Sequence, residues 1–188
     1  MAIEAKNDTV TYTDEAGRRK AAGVAVLVGA DGSNGGSVGG FTAYVDVTLS
    51  LDTAAYAADD LMADTQVVAN AMRVNDGTGV LQSVVVLDED DQGTGFDLVF
   101  LSANNSLGSE NAAVSVTDAG ARDILGLISI AASDFTDLGG CRIATRTGIG
   151  LVVKPAAGTR NLYVAAITRG APTYTAAGVR LRLGFLQD

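Results

Sequence analysis

The chain has 188 residues, no histidine, no tryptophan and one cysteine, Cys141, and carries a formal charge of −9. That inventory excludes Ser-His-Asp and Cys-His nucleophile pairs, an ordinary zinc site and an intrachain disulfide, and its acidity argues against nucleic acid as a partner. Apolar residues make up 47% and aromatic residues only 5%, a balance of small aliphatic side chains and glycine that suits closely approaching strands in one domain, or one domain with an arm.

Residues 1–40 read as an extended N-terminal arm. They end in GADGSNGGSVGG, which has the composition of a connector. This run lacks the Lys-Ser/Thr of a phosphate-binding loop and no helix follows it, so it reads as a hinge. Within the arm, VTYT (10–13) and AGVAVLV (22–28) have β-forming character suited to adding to the edge of a partner's sheet. The segment RRKAAGVAVLVGA (18–30) mimics a signal peptide. An acidic leader precedes it and its apolar run is too short to span a bilayer, which favours a docked strand and no membrane partner.

From Phe41 the pattern becomes regular, and residues 41–188 read as a β-sandwich domain. FTAYVDVTLSLD (41–52) places Phe41, Ala43, Val45, Val47, Leu49 and Leu51 on one face and polar residues with Tyr44 on the other. TAAYAADDLMAD (53–64) reads as loop. Further strands are expected over 65–74, 79–88, 96–101, 125–130, 141–146, 148–154, 161–169 and 178–186, separated by Gly, Asn, Asp or Pro clusters. One short helix is expected at TDAGARDIL, capped by Thr117 or Asp118. Strands this short and evenly spaced predict an all-β, jelly-roll-like β-sandwich.

The stretch VVVLDEDDQGTGFDLVFL (84–101) is the one place that resembles a metal site. Read as a calcium loop from Asp88, it offers Asp88, Asp90 and Gln92 with Gly93 sixth, but its twelfth position is Val99 instead of Glu. Asp88 to Asp91 therefore read as an acidic hairpin tip, with Gly93 and Gly95 supplying positive φ, and a surface cation site is the alternative. Carboxylate pairs for glycoside hydrolysis are not excluded by inventory, but the scarcity of aromatic residues speaks against them. No catalytic, cofactor-binding or metal residue is assigned, and no enzyme or cofactor is expected.

Charge is uneven. Residues 41–135 hold fifteen Asp and Glu against two Arg, whereas 136–188 hold two Asp against seven Lys and Arg. In the last strand Arg180 and Arg182 alternate with Val179, Leu181, Leu183 and Phe185, so both guanidinium groups leave on the outward face. They meet either acidic strands of the same sheet or a neighbouring subunit or capsid surface.

The blocks VTLSLDTAAYAADDLMADTQVVANAMRV, VLQSVVVLDEDDQGTGFDLVFLSANNSLGSENAAVSV, SDFTDLGGCRIAT and GTRNLYVAAITRGAPTYTAAGVRLRLGFLQD together resemble structural proteins of tailed-bacteriophage particles, most of all head decoration, or cement, proteins. The resemblance runs from about Asp46 to Asp188 and does not include the arm. It implies a virion protein made in the host cytoplasm, a homotrimeric β-sandwich that binds the major capsid protein across capsomer junctions and stabilises the head. Attachment would fall to the arm, through Arg18, Arg19, Lys20, Val24 and Val26; the alternative for the arm is that it packs back on its own sandwich. The alternative is a tail-fibre or adhesin domain that binds a host glycan.

Overall fold

The computed structural model describes residues 9–13, 19–23 and 41–187. The chain divides into two compact units, 1–39 and 40–188. In the first, β1 (Thr9–Thr13) and β2 (Arg19–Gly23) form an antiparallel pair, with Tyr12 opposite Lys20 and Thr13 opposite Arg19. The strand expected at 10–13 is present. The second strand shares only Ala22 and Gly23 with the apolar run at 22–28, and residues 24–28 fall outside the described residues, as does Arg18.

The second unit is a sandwich of two antiparallel sheets. Its strands are β3 (Phe41–Thr48), β4 (Leu61–Val68), β5 (Gly79–Asp88), β6 (Phe96–Leu101), β7 (Ile124–Ile130), β8 (Thr136–Asp137), β9 (Arg142–Val153), β10 (Leu162–Thr168) and β11 (Val179–Gln187). One sheet has the order β4-β10-β6-β7 and the other β3-β11-β5-β9-β8. Every connection between consecutive long strands changes sheet except β6 to β7. Eight strands wound in this way form a jelly roll, with the two-residue β8 added at one edge.

Alternation makes this possible. Along β11 the odd-numbered residues Val179 to Gln187 are buried and Arg180, Arg182 and Leu186 are exposed. The inward residues of both sheets form one cluster that includes Leu81, Val84, Phe96, Leu98, Phe100, Val164, Leu183 and Phe185. Each such side chain contributes about 1.5–3 kcal/mol by leaving water. The helix, α1 (Asp118–Ala121), is capped as expected: Thr117 Oγ1 accepts from the Gly120 N–H at 3.1 Å.

Several local expectations differ from the structure: the strand expected over 41–52 ends at Thr48, and Gly95 lacks the positive φ expected of it. The strand expected at 65–74 begins at Leu61 and ends at Val68. Leu61, Met62 and Ala63 are all buried because this strand is covered on both sides, and its register against β10 shifts twice, so the period of two is lost. The separate strands expected at 141–146 and 148–154 are one strand, β9. There Gly148 to Gly150 bulge opposite Gln82, with φ of 69° and 71° at the two glycines. The acidic stretch is no hairpin: β5 pairs with β11 and β9, β6 pairs with β10 and β7, and residues 89–95 carry the chain from one sheet to the other.

Candidate interaction face

The two outer faces of the sandwich are treated differently by the chain itself. Outside the four-stranded sheet, the long connection between β6 and β7 folds back. Its Leu107 and Val114 join Leu61, Val99, Leu101, Ala165 and Ile167 in a second apolar cluster. Main-chain bonds hold it there, from the Leu61 N–H to the Ala112 carbonyl at 2.8 Å and from the Asn111 N–H to the Leu61 carbonyl at 2.9 Å. The Asp64 carboxylate also accepts from the Leu107 N–H at 2.9 Å. The corresponding face of the five-stranded sheet carries no such cover from residues 41–187.

Strand register defines that open face as four rows of outward residues across β3, β11, β5 and β9. They are Thr48, Arg180, Leu87, Ile143; then Asp46, Arg182, Val85, Thr145; then Tyr44, Gly184, Ser83, Thr147; and finally Thr42, Leu186, Val80, Val152. Tyr44 is 77% exposed. Its cross-strand partner is Gly184, and a Cβ there would meet Ser83 Oγ at 2.3 Å and Tyr44 Cε1 at 3.4 Å, so the ring leans over the glycine. Depressions of about 570 Å³ and 160 Å³ flank the ring, the first lined by Asp46, Ser83, Thr145, Thr147 and Arg182, the second by Thr42, Gln82 and Leu186. A third of about 240 Å³ continues past Val85, Leu87, Ile143 and Arg180.

Both arginines singled out from the sequence lie on this face and are paired within the chain. Arg182 Nε stands 2.9 Å from Asp46 Oδ1 on β3, and Arg180 Nε stands 2.9 Å from Glu89 Oε1 beyond β5. Hydrogen bonding to Asp46 raises the Arg182 pKa further, so the charge is fixed at all working pH. Of the two readings of these side chains, the intramolecular one has its geometry here. Of the arm residues, Arg19 and Lys20 lie in β2. Sequence reasoning passed over Tyr44, Ser83, Thr145 and Thr147. Alternation already put Tyr44 outward, but nothing in the sequence placed it beside Gly184.

The acidic stretch is built as a knot of local bonds. Asp88 is fully buried, and its two carboxylate oxygens accept from the Asp90 N–H at 3.1 Å and the Gly93 N–H at 2.7 Å. Burial pushes its pKa above the ordinary carboxylate value, against the pull of those N–H groups. Asp90 accepts from the Thr175 N–H at 2.6 Å and from Thr175 Oγ1, and Asp91 pairs with Arg142 at 2.8 Å. Asp91 and Gly93 have φ of 57° and 58°, while Gly95 is needed for close approach to Ile130 and Ala132. Nearby, Tyr56 hydrogen-bonds the Met62 carbonyl at 3.0 Å, and burial pushes its pKa up to about 12. The Tyr174 hydroxyl is buried without a protein partner and its pKa is raised by burial and by Asp88 and Asp90. Among the described residues no group of three or more Cys, Asp or Glu stands ready to hold a metal ion, and no helix is long and apolar enough to cross a membrane.

No family model and no curated protein matches this chain. Among solved structures, the structure of infectious bursal disease virus Gx strain aligns with a TM-score of 0.18 and 13% identity, over all of this chain and 45% of that one. This chain thus spans less than half the length of that viral chain, and so loose a match carries no argument about it.

Proposed function

We propose that the protein is a virion structural protein, a head decoration or cement protein that binds across capsomer junctions of a bacteriophage head. The observation that carries this reading is the division of the chain into an amino-terminal unit, 1–39, and a separate jelly roll, 40–188. The sequence resemblance to tailed-bacteriophage particle proteins supplies the class. A shell under internal pressure parts where capsomers meet, and an oligomer that grips several subunits at once resists this through avidity. In this scheme the jelly roll is a trimeric body, with exposed Val67, Leu127 and Leu138 as candidates for the contact between copies. The arm reaches the major capsid protein, with Arg18, Arg19 and Lys20 set against acidic shell surface and Val24 and Val26 against apolar surface. Neither catalysis nor a cofactor is required.

The test is binding to undecorated heads. Full-length protein should co-sediment with them to saturation, and a variant lacking residues 2–40 should remain a soluble β-oligomer that no longer binds. Raising salt should weaken binding of the full chain, since exposed charge contacts are screened. Full occupancy by the truncated protein, at unchanged affinity, would move attachment onto the jelly roll and refute the role given to the arm.

A further inference from the structure

We infer that the open face of the five-stranded sheet is a binding site for an extended neutral glycan, centred on Tyr44. The inference concerns a surface that head attachment through the arm does not use, and it holds wherever on a particle the chain sits. Three features carry it.

The first is the ring. Tyr44 is the most exposed large apolar side chain of residues 41–187, yet it has a defined place, because it leans over Gly184 where no side chain intervenes. A tyrosine held in this manner offers an apolar platform with a polar tip, which suits a ligand whose faces are CH-rich and whose edges are hydroxyls.

The second is the lining. On one side of the ring stand the hydroxyls of Ser83, Thr145 and Thr147 with the Asp46–Arg182 pair. Among the described residues only Arg182 Nε is engaged by Asp46 Oδ1, which leaves the two terminal guanidinium nitrogens and the second carboxylate oxygen to act as donor and acceptor side by side. That pairing matches vicinal hydroxyls. Four of the eight residues in the middle rows, Tyr44, Ser83, Thr145 and Thr147, carry a hydroxyl, which suits a ligand rich in hydroxyls.

The third is length and charge. The depressions share Tyr44 and Ser83 at one junction and Asp46, Val85 and Arg182 at the other. They form one groove along β11 from Leu186 to Arg180, about 20 Å at about 3.4 Å per residue. This is the reach of an oligosaccharide, not of one sugar. Asp46 and Arg182 cancel, and Arg180 is matched by Glu89, so the groove is neutral on a chain of −9. The complementary ligand is uncharged, with apolar faces for Tyr44, Val85 and Leu186 as well as hydroxyl edges.

The test uses the full chain, titrated with neutral hexasaccharides of glucose, galactose, mannose and N-acetylglucosamine, read by saturation-transfer and amide NMR. At least one should bind with Kd of about 0.1–5 mM, shifting the amides of Tyr44, Ser83, Thr145 and Thr147. Tyr44→Ala should weaken binding at least tenfold, and Thr145→Val severalfold. Val116→Ser, in the connection between β6 and β7 and away from the face, should change nothing. Tyr44 is exposed, so its loss leaves the fold intact, and the amide spectrum checks this directly. Failure of every hexasaccharide to bind at about 10 mM would overturn the proposal, as would unchanged binding by Tyr44→Ala. It would equally be overturned if shifts on this face appeared on concentrating the protein alone and Tyr44→Ala lowered its oligomeric mass, since the face would then be a contact between copies.

Discussion

Replacing Asp88 by alanine should destabilise the jelly roll more than any other change in the acidic stretch. The carboxylate is fully buried at the end of β5 and satisfies two main-chain donors, the Asp90 N–H and the Gly93 N–H. Alanine leaves both without an acceptor, at about 1–3 kcal/mol each when buried. The loop is only partly covered and a desolvated carboxylate is removed, so the net loss falls at about 2–3 kcal/mol, or about 5–10 °C in melting temperature for a domain of this size. Asp88→Asn retains one acceptor and should lose about half as much. The pH dependence gives a second handle. The folded-state pKa of Asp88 is raised, so its protonated form is favoured by folding. Its contribution is fully present below the unfolded carboxylate pKa and is lost as pH rises through the raised folded value. The advantage of the native protein over Asp88→Asn should therefore be greatest at acid pH and shrink toward neutrality. Thermal melts of the three proteins across pH 3–8, about the carboxylate range, measure this. An alanine variant that melts with the native protein, or an advantage over Asn that grows with pH, would refute the reasoning.

Other consequences are simpler to check. Chelator and added calcium should each leave the melting temperature unchanged within about 1 °C, because the oxygens of Asp88 and Asp90 are already occupied by N–H and O–H donors; a calcium-dependent rise of many degrees would reinstate a cation site. Tyr174→Phe should be neutral or stabilise by about 1 kcal/mol, since the hydroxyl it removes is buried and unpaired, and calorimetry showing a loss of 2 kcal/mol or more would mean the hydroxyl has a partner. Phe100→Ala, at the centre of the main cluster, should cost about 3–5 kcal/mol in denaturant melts. Light scattering should report a trimer of the full chain at micromolar concentration without any capsid, and a monomer would count against the trimeric body.

Much of the fold was legible because strands covered on one side alternate. β3 and β11 show their inward and outward residues directly, and β5 and β6 have the bounds that sequence patterning gives. Legibility failed where a second constraint overrode alternation. Leu61 to Ala63 are apolar in succession because a loop from far along the chain covers β4 from outside, and the glycines at 148 and 150 look like a break although they are a bulge within one strand. The hairpin reading of the acidic stretch failed for a topological reason: turn chemistry at Asp91 and Gly93 fixes a tight bend but not which sheet the next strand joins. The candidate face was half legible. Arg180 and Arg182 follow from alternation, and their partners Asp46 and Glu89 follow only from strand order. The groove at Tyr44 depends on Gly184 lying opposite, which is a matter of register between segments 140 residues apart in sequence.

The central claim, that this chain decorates a phage head, is tested most directly by imaging particles that carry it. Cryo-electron microscopy should place jelly-roll density on the outside of the head at junctions between capsomers, in threefold groups, with the arm running into the shell. Density confined to the tail or its fibres, with bare capsomer junctions, would contradict it.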